Sequence, residues 1–308
     1  MAENLTVAFY TLGCKVNQYE SEALRERMIE RGFTSAAEGK PAFVSIINTC
    51  SVTNISDRKS RQLIRKARKR NPDGIVAVIG CYAQINPNQL ESMEEVDIIL
   101  ESRDKSRLPD IICDFIFKNQ NKTIDDTKAD LIKYAKADSD YKDVRRINYD
   151  PMPFDDLGPV TDMDARSRAL IKIQDGCDRY CAYCIIPIAR GHVRSRDFED
   201  AAAEARRLIV DAGFRELVVT GVNLALYGTD FSNNIGFANN KGIKDGVGFV
   251  NNKGFANSAG FTNGTGFANN EDSKPGLLSL LSRINDLPGN FRIRLGSLEP
   301  TVINADFL

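Results

Sequence analysis

The chain has 308 residues, 42% apolar and 27% charged, with a formal net charge of −1, the balance of an ordinary globular protein with a prior of two domains. So small a net charge excludes a chain-wide attraction to nucleic acid and leaves only a local patch for that role. No stretch approaches the roughly 18 apolar residues of a membrane span, and MAENLTVAFY, without a charged n-region followed by an apolar run, is not expected to act as a signal peptide.

The first hundred residues alternate strands and helices. LTVAFYTLG reads as a strand, and a helix is expected over 18–31, with Asn17 and Glu20 as a capping box and Gly32 at the C′ position. FVSIIN (43–48) predicts a second strand and 55–70 a helix. IVAVIG (75–80) predicts a third strand and DIIL (97–100) a fourth. Apolar strands alternating with amphipathic helices indicate a parallel α/β sheet covered on both faces. Cys14, Cys50 and Cys81 follow the first three strands. The C-terminal strand ends of a parallel sheet share one edge, so these three thiols are expected to converge there. The plainer alternative is three unrelated buried thiols. Cys113, on an apolar helical face, reads as a core residue.

Residues 119–165 are polar and weakly patterned, an expected linker between a domain over 1–118 and another over 166–308. Order resumes at RALIKIQDG, a strand. Asp197 is placed to cap a helix with Ala201, Ala205, Leu208 and Ile209 on its apolar face, and Gly213 to end it. ELVVTG (216–221), a helix at LLSLLSRIN and a strand at FRIRLGS continue a βαβαβ run, the opening of a barrel of parallel strands. An insert over about 230–273 holds glycine every six residues from Gly236 to Gly266 and reads as a mobile loop, with a sticky Phe–Gly segment as the alternative.

The seven cysteines are odd in number and come without a secretion signal, which implies reduced thiols in a cytoplasmic compartment. Cys177, Cys181 and Cys184 lie within eight residues of DGCDRYCAYCIIP. Structural zinc takes four ligands and a disulfide two. A four-iron cubane held by three thiolates keeps one iron open for a substrate or cofactor. The spacing C-x3-C-x2-C, with Tyr183 before the last cysteine, resembles the radical S-adenosylmethionine (SAM) superfamily. The resemblance implies that the open iron chelates SAM and that one electron from the cluster splits the sulfonium to give a 5′-deoxyadenosyl radical. It implies backbone contacts from Tyr183 to the adenine. Gly221, Asn223, Ser297 and Glu299, at the ends of the second and third barrel strands, are candidate SAM contacts.

TLGCKVNQYES, NTCSVTN and GCYAQ, with KIQDGCDRYCAYCIIPIARG, together resemble the methylthiotransferases of that superfamily. The resemblance implies a second 4Fe–4S cluster on Cys14, Cys50 and Cys81, whose open iron carries the sulfur to be transferred. It also implies an electron donor such as flavodoxin or ferredoxin. TLGCKVNQYE, VTGVNLALYG and RLGSLEP are most similar to the branch acting on threonylcarbamoyladenosine at position 37 of the tRNA anticodon loop. The alternatives are isopentenyladenosine tRNA, an aspartate of a ribosomal protein, and, from another class, a non-catalytic iron–sulfur and RNA-binding protein. A patch for RNA is offered by Arg58, Lys59, Arg61, Arg65, Lys66, Arg68, Lys69 and Arg70 on one expected helix, with Arg190, Arg194 and Arg196 extending the track. The plainer reading of that helix is a solvated face. His192, the only histidine, is expected at the surface without a catalytic role. The sequence stops at ADFL, within the helix expected after the third barrel strand. The rest of the family's barrel and its C-terminal RNA-binding domain are therefore expected to be absent.

Overall fold

The computed structural model describes residues 5–37, 39–102, 104–118, 154, 157–158, 160, 167–231, 276–303, 305 and 307. Two parallel sheets organise these residues.

The first sheet has the order β2-β1-β3-β4-β5 and is parallel throughout, with β1 at Thr6–Thr11, β2 at Thr34–Ser35, β3 at Val44–Thr49, β4 at Ile75–Gly80 and β5 at Ile98–Ile99. β3 and β4 are buried along their whole length, as unbroken apolar runs must be at the centre of a parallel sheet. The helices are α1 (Lys15–Glu30), α2 (Asn54–Arg70), the short α3 (Cys81–Ile85) and α4 (Pro87–Glu91), and α5 (Leu108–Lys118). β2, α3 and α4 carry too few residues to leave a periodic signal. Cys113 on α5 is half-buried against the main apolar core.

The expected start of α1 needs correction. The helix begins at Lys15, its N-cap is Cys14, and no side chain caps it. Asn17 and Glu20 lie inside the helix and are buried. The Asn17 amide donates to the carbonyls of Leu12 and Thr49, both at 2.8 Å, tying the ends of β1 and β3 together. Glu20 is taken by buried cations. Long-range partners displaced the local capping box because an unpaired buried polar group is costly. Gly32 does end the helix, at φ +89° with its N–H on the Ile29 carbonyl.

The second sheet has the order β10-β9-β6, all parallel: β6 (Ala169–Lys172), β9 (Glu216–Thr220) and β10 (Arg292–Leu295). After β6 the chain forms a small antiparallel pair, β7 (Gln174–Asp175) with β8 (Arg194–Ser195). These flank the cysteine loop and α6 (Ile186–Arg190). α7 (Phe198–Arg206) is capped by the Asp197 carboxylate, which accepts from Glu199 and Asp200 N–H at 2.9 and 3.2 Å. It runs into a π turn, Arg207–Asp211, with Ala201, Ala205, Leu208 and Ile209 buried. α8 is Leu277–Asn285.

One apolar core runs through both sheets, from Val7 and Val44 to Ala169 and Leu217. α1 joins them, packing on β1 on one side and β6 on the other. Leu157 and Val160, near the end of the expected linker, are buried in the same core. The hexapeptide repeat and, apart from 154, 157, 158 and 160, the expected linker lie outside the described residues.

Candidate metal centres

Strand register explains how three distant cysteines share an edge. Thr11 pairs with Asn48, and Thr49 with Gly80, so Cys50 and Cys81 follow directly on paired positions. Gly13 turns the chain back at φ +100°. A Cβ there would lie 2.8 Å from Cys50 Cβ and 3.0 Å from its Sγ, so glycine is what lets the Cys14 turn approach Cys50. Gly80, at φ +94°, has no room for a Cβ either, 2.5 Å from the Thr49 carbonyl. Cys14 is exposed, while Cys50 and Cys81 are buried. Burial pushes the Cys81 thiol up, with Arg190 and Lys105 opposing.

The other triad is made by one loop. Cys177 N–H donates to the Gly191 carbonyl at 3.1 Å, and Cys184 N–H to Cys181 at 2.9 Å. Gly176, at φ +71°, closes the loop so tightly that a Cβ would lie 1.7 Å from the His192 carbonyl oxygen. Tyr180 holds a left-handed backbone at φ +46°. Burial raises the Cys177 thiol, while the Arg179 N–H and the Asn223 amide pull it down. Tyr183 is 93% exposed. His192 is half-exposed, its Nδ1 2.6 Å from an Asp178 carboxylate oxygen, which fits its expected place at the surface.

The expected SAM contacts gather beside this loop. Gln174 donates to the carbonyls of Asp175 and Gly176 at 2.8 and 2.7 Å and accepts the Asn223 N–H at 2.8 Å. Gly221 packs on Gln174, where a Cβ would be 2.9 Å from Oε1. Asn223 Nδ2 donates to Glu299 at 2.7 Å, and Arg179 pairs with the other Glu299 oxygen at 2.8 Å. The Ser297 carbonyl accepts from Leu224 N–H at 3.0 Å, and Ser297 itself is held at φ +65°, where a serine is strained. The C-terminal ends of β6, β9 and β10 are thus one hydrogen-bonded rim.

The elements that carry the two triads are joined through α1, α3 and α6. α3, which starts at Cys81, packs on α6, which starts two residues after Cys184. Lys15, next to Cys14, reaches the rim: a Cβ at Gly296 would lie 3.6 Å from its Nζ and 3.7 Å from Thr220 Oγ1. Between them lies a buried ionic cluster. Glu20 accepts from Lys105 at 2.7 Å, Lys172 at 2.9 Å and Arg190 at 3.1 Å. Asp175 accepts from Lys172 at 2.7 Å and Arg190 at 2.8 Å. Burial would raise both carboxyls, but the Arg190 and Lys172 cations outweigh it and hold them well below the ordinary carboxylate range. A second cluster joins Tyr19 of α1 to Glu204 at 3.1 Å, with Arg196 on the same carboxylate. Sequence reasoning missed Glu20, Lys105, Lys172 and Asp175 as a unit. The one available signal was Lys172, a charge inside the apolar run ALIKI.

The basic track also needs correction. Arg190, Arg194 and Arg196 are buried in ion pairs and reach no surface. On α2, Arg61 donates to Tyr82 Oη, Arg70 to Tyr10 Oη, Arg68 pairs with Asp97, and Arg65 lies 3.6 Å from Glu95. Arg58, Lys59, Lys66 and Lys69 are exposed and, among the described residues, unpaired.

Among the described residues no three His, Cys, Asp or Glu side chains close on a single metal ion. Both triads consist of free thiols, the donor set that suits an iron–sulfur cluster, which is larger than one ion and spreads its ligands accordingly. No helix among the described residues is long and apolar enough to cross a membrane.

Residues 6–101 match the model of "Uncharacterized protein family UPF0004", and residues 171–247 that of the Radical SAM superfamily. The chain therefore carries a UPF0004 stretch followed by a radical SAM stretch. Its α/β fold is that of a parallel sheet followed by the opening strands of a radical SAM barrel. It is 40% identical over 228 residues to the threonylcarbamoyladenosine tRNA methylthiotransferase MtaB of Bacillus subtilis, covering 74% of this chain and 46% of that protein. It is 31% identical to a tRNA-2-methylthio-N(6)-dimethylallyladenosine synthase of Natranaerobius thermophilus, covering 75% of this chain and 48% of that one. A solved radical SAM methyltransferase, TsrM of Kitasatospora setae, aligns over 73% of this chain and 49% of its own at 12% identity and TM-score 0.43, too remote to carry an argument. The chain spans about half the length of the curated relatives it matches.

Proposed function

We propose that this chain is the cluster-bearing part of a cytoplasmic radical SAM methylthiotransferase that converts threonylcarbamoyladenosine at position 37 of tRNA to its 2-methylthio derivative. The observation that carries this reading is a pair of cysteine triads, one at the C-terminal edge of the first parallel sheet and one in the loop that follows β6 and β7, with α3 of the first packed on α6 of the second. Cys177, Cys181 and Cys184 hold one 4Fe–4S cluster, and Cys14, Cys50 and Cys81 a second. When bound, the first supplies the electron that cleaves SAM and the second presents the sulfur. The chain's own residues set the stage. Gln174 and Gly221 bring the cysteine loop against the end of β9, and Asn223, Glu299 and Arg179 form the polar wall that orients SAM. The strained Ser297 fixes the third side, and the Tyr183 backbone would contact the adenine of bound SAM.

Arg58, Lys59, Arg65, Lys66 and Lys69 neutralise tRNA phosphates, while Arg61, Arg68 and Arg70 are assigned to RNA only through the shape of the helix they brace. An electron donor such as flavodoxin or ferredoxin reduces the first cluster. Similarity to the dimethylallyladenosine synthases favours isopentenyladenosine as the second reading, while the basic face weighs against a ribosomal protein.

Mass spectrometry of tRNA nucleosides from a strain lacking the gene tests the substrate. Loss of 2-methylthio-threonylcarbamoyladenosine is expected; loss of the isopentenyl derivative instead selects the second reading, and unchanged tRNA overturns both. Anaerobic reconstitution tests the cofactors: about eight irons per chain are expected, falling to about four when either triad is changed to alanine. Failure to form 5′-deoxyadenosine from SAM and reductant would leave only a cluster- and RNA-binding protein.

A further inference from the structure

Among the described residues, the buried ionic cluster holds more cations than carboxylates: four cations, Lys105, Lys172, Arg190 and Arg194, face two carboxylates, Glu20 and Asp175. All six are buried. A surplus of buried positive charge is costly unless an anion answers it.

The surplus points one way. Arg190 Nη2 donates to Asn17 Oδ1 at 2.5 Å, and the same oxygen lies 3.9 Å from Cys14 Sγ. Arg190 ends α6, the helix packed on α3, and α3 begins at Cys81. Arg190 is therefore held by the carboxylates on one side and meets Cys14 through Asn17 on the other. Asn17 fixes the geometry, since its amide is already committed to the Leu12 and Thr49 carbonyls.

We propose that Arg190, held by Glu20, Asp175 and Asn17, is a positioning residue whose charge is the counterion for the anionic thiolate-bound group on Cys14, Cys50 and Cys81. The inference rests on the cluster reading of that triad. A fixed cation beside the group favours its more negative, reduced form. The radical SAM arm of the molecule, through α6, thereby sets the electronic state of a group held by the UPF0004 arm.

The test uses the anaerobically reconstituted chain carrying Cys177, Cys181 and Cys184 as alanine, so that only the strand-end triad binds iron. Iron content and the midpoint potential from an electron paramagnetic resonance titration are measured for this parent and for Arg190→Gln and Arg190→Lys. Arg190→Gln is expected to move the potential to more negative values. Arg190→Lys is expected to recover most of the shift, because charge and not packing is what matters. An unchanged potential in folded Arg190→Gln, or an equal shift in both variants, overturns the proposal. Should Arg190→Gln not fold, Lys105→Gln removes a different surplus cation and must shift the potential in the same direction, with no shift overturning the proposal. A parent that binds no iron refutes the cluster reading itself and is told apart by that result.

Discussion

The two triads reach similar chemistry by opposite routes. Cys177, Cys181 and Cys184 come from one loop, closed by Gly176 and by backbone hydrogen bonds to Gly191 and Cys181. Cys14, Cys50 and Cys81 come from three strand ends and meet only because β1, β3 and β4 are in register. The loop triad is local and depends on one turn. The strand-end triad depends on the sheet beneath it and on the buried charges behind it. Damage to each should therefore be selective.

The largest effect is expected from Gly176→Ala, whose Cβ would lie 1.7 Å from a backbone oxygen in a left-handed conformation. It should cost on the order of 4 kcal/mol or more and remove the iron of the loop triad while leaving that of the strand-end triad, as iron analysis in each single-triad background would read. Equal loss from both triads would break the comparison.

Glu20→Gln comes next. It strips a carboxylate from three buried cations and should cost about 3–5 kcal/mol, measured by thermal or denaturant unfolding. Here iron should be lost first from Cys14, Cys50 and Cys81, the reverse of the first variant.

Acid sharpens the same point. The folded-state values of Glu20 and Asp175 are depressed by their cationic partners, so their stabilisation is fully present above the ordinary carboxylate values of about 4. It is lost as pH falls from there through the folded values, by up to about 1.4 kcal/mol per pH unit for each group. Denaturant unfolding below pH 4 should show that slope, and Glu20→Gln should flatten it by one group's share. An unchanged slope would mean that these carboxylates are not the charged anchors described above.

The smallest effect is expected from Thr53→Ala. Thr53 caps α2, its hydroxyl accepting the Ser56 N–H at 3.1 Å, three residues beyond Cys50. Losing the cap should cost about 1 kcal/mol with both triads still loaded. Loss of iron here would mean that the strand-end triad leans on α2 and not on the sheet.

What could be read in advance follows the same division between local and distant causes. The unbroken apolar runs 43–48 and 75–80 announced the central strands, and Asp197 and Gly213 marked a helix correctly because caps act over a few residues. The start of α1 was misread because Asn17 and Glu20 have the right spacing for a cap and better partners elsewhere. Arg190, Arg194 and Arg196 looked like a surface track because charge is usually solvated, and nothing local reveals three buried carboxylates waiting for them.

The sequence by itself determined the strand–helix alternation, the two cysteine triads and the kinship they signal, since these depend on residue type and short spacing. Only the tertiary structure decided that α1 is shared by both sheets, that one core runs through them, and that, among the described residues, buried cations outnumber their carboxylates close to Cys14. Those features require Glu20, Lys105, Lys172 and Arg190 to meet across 170 residues of chain, and burial and ion pairing are properties of the folded packing that no local pattern encodes.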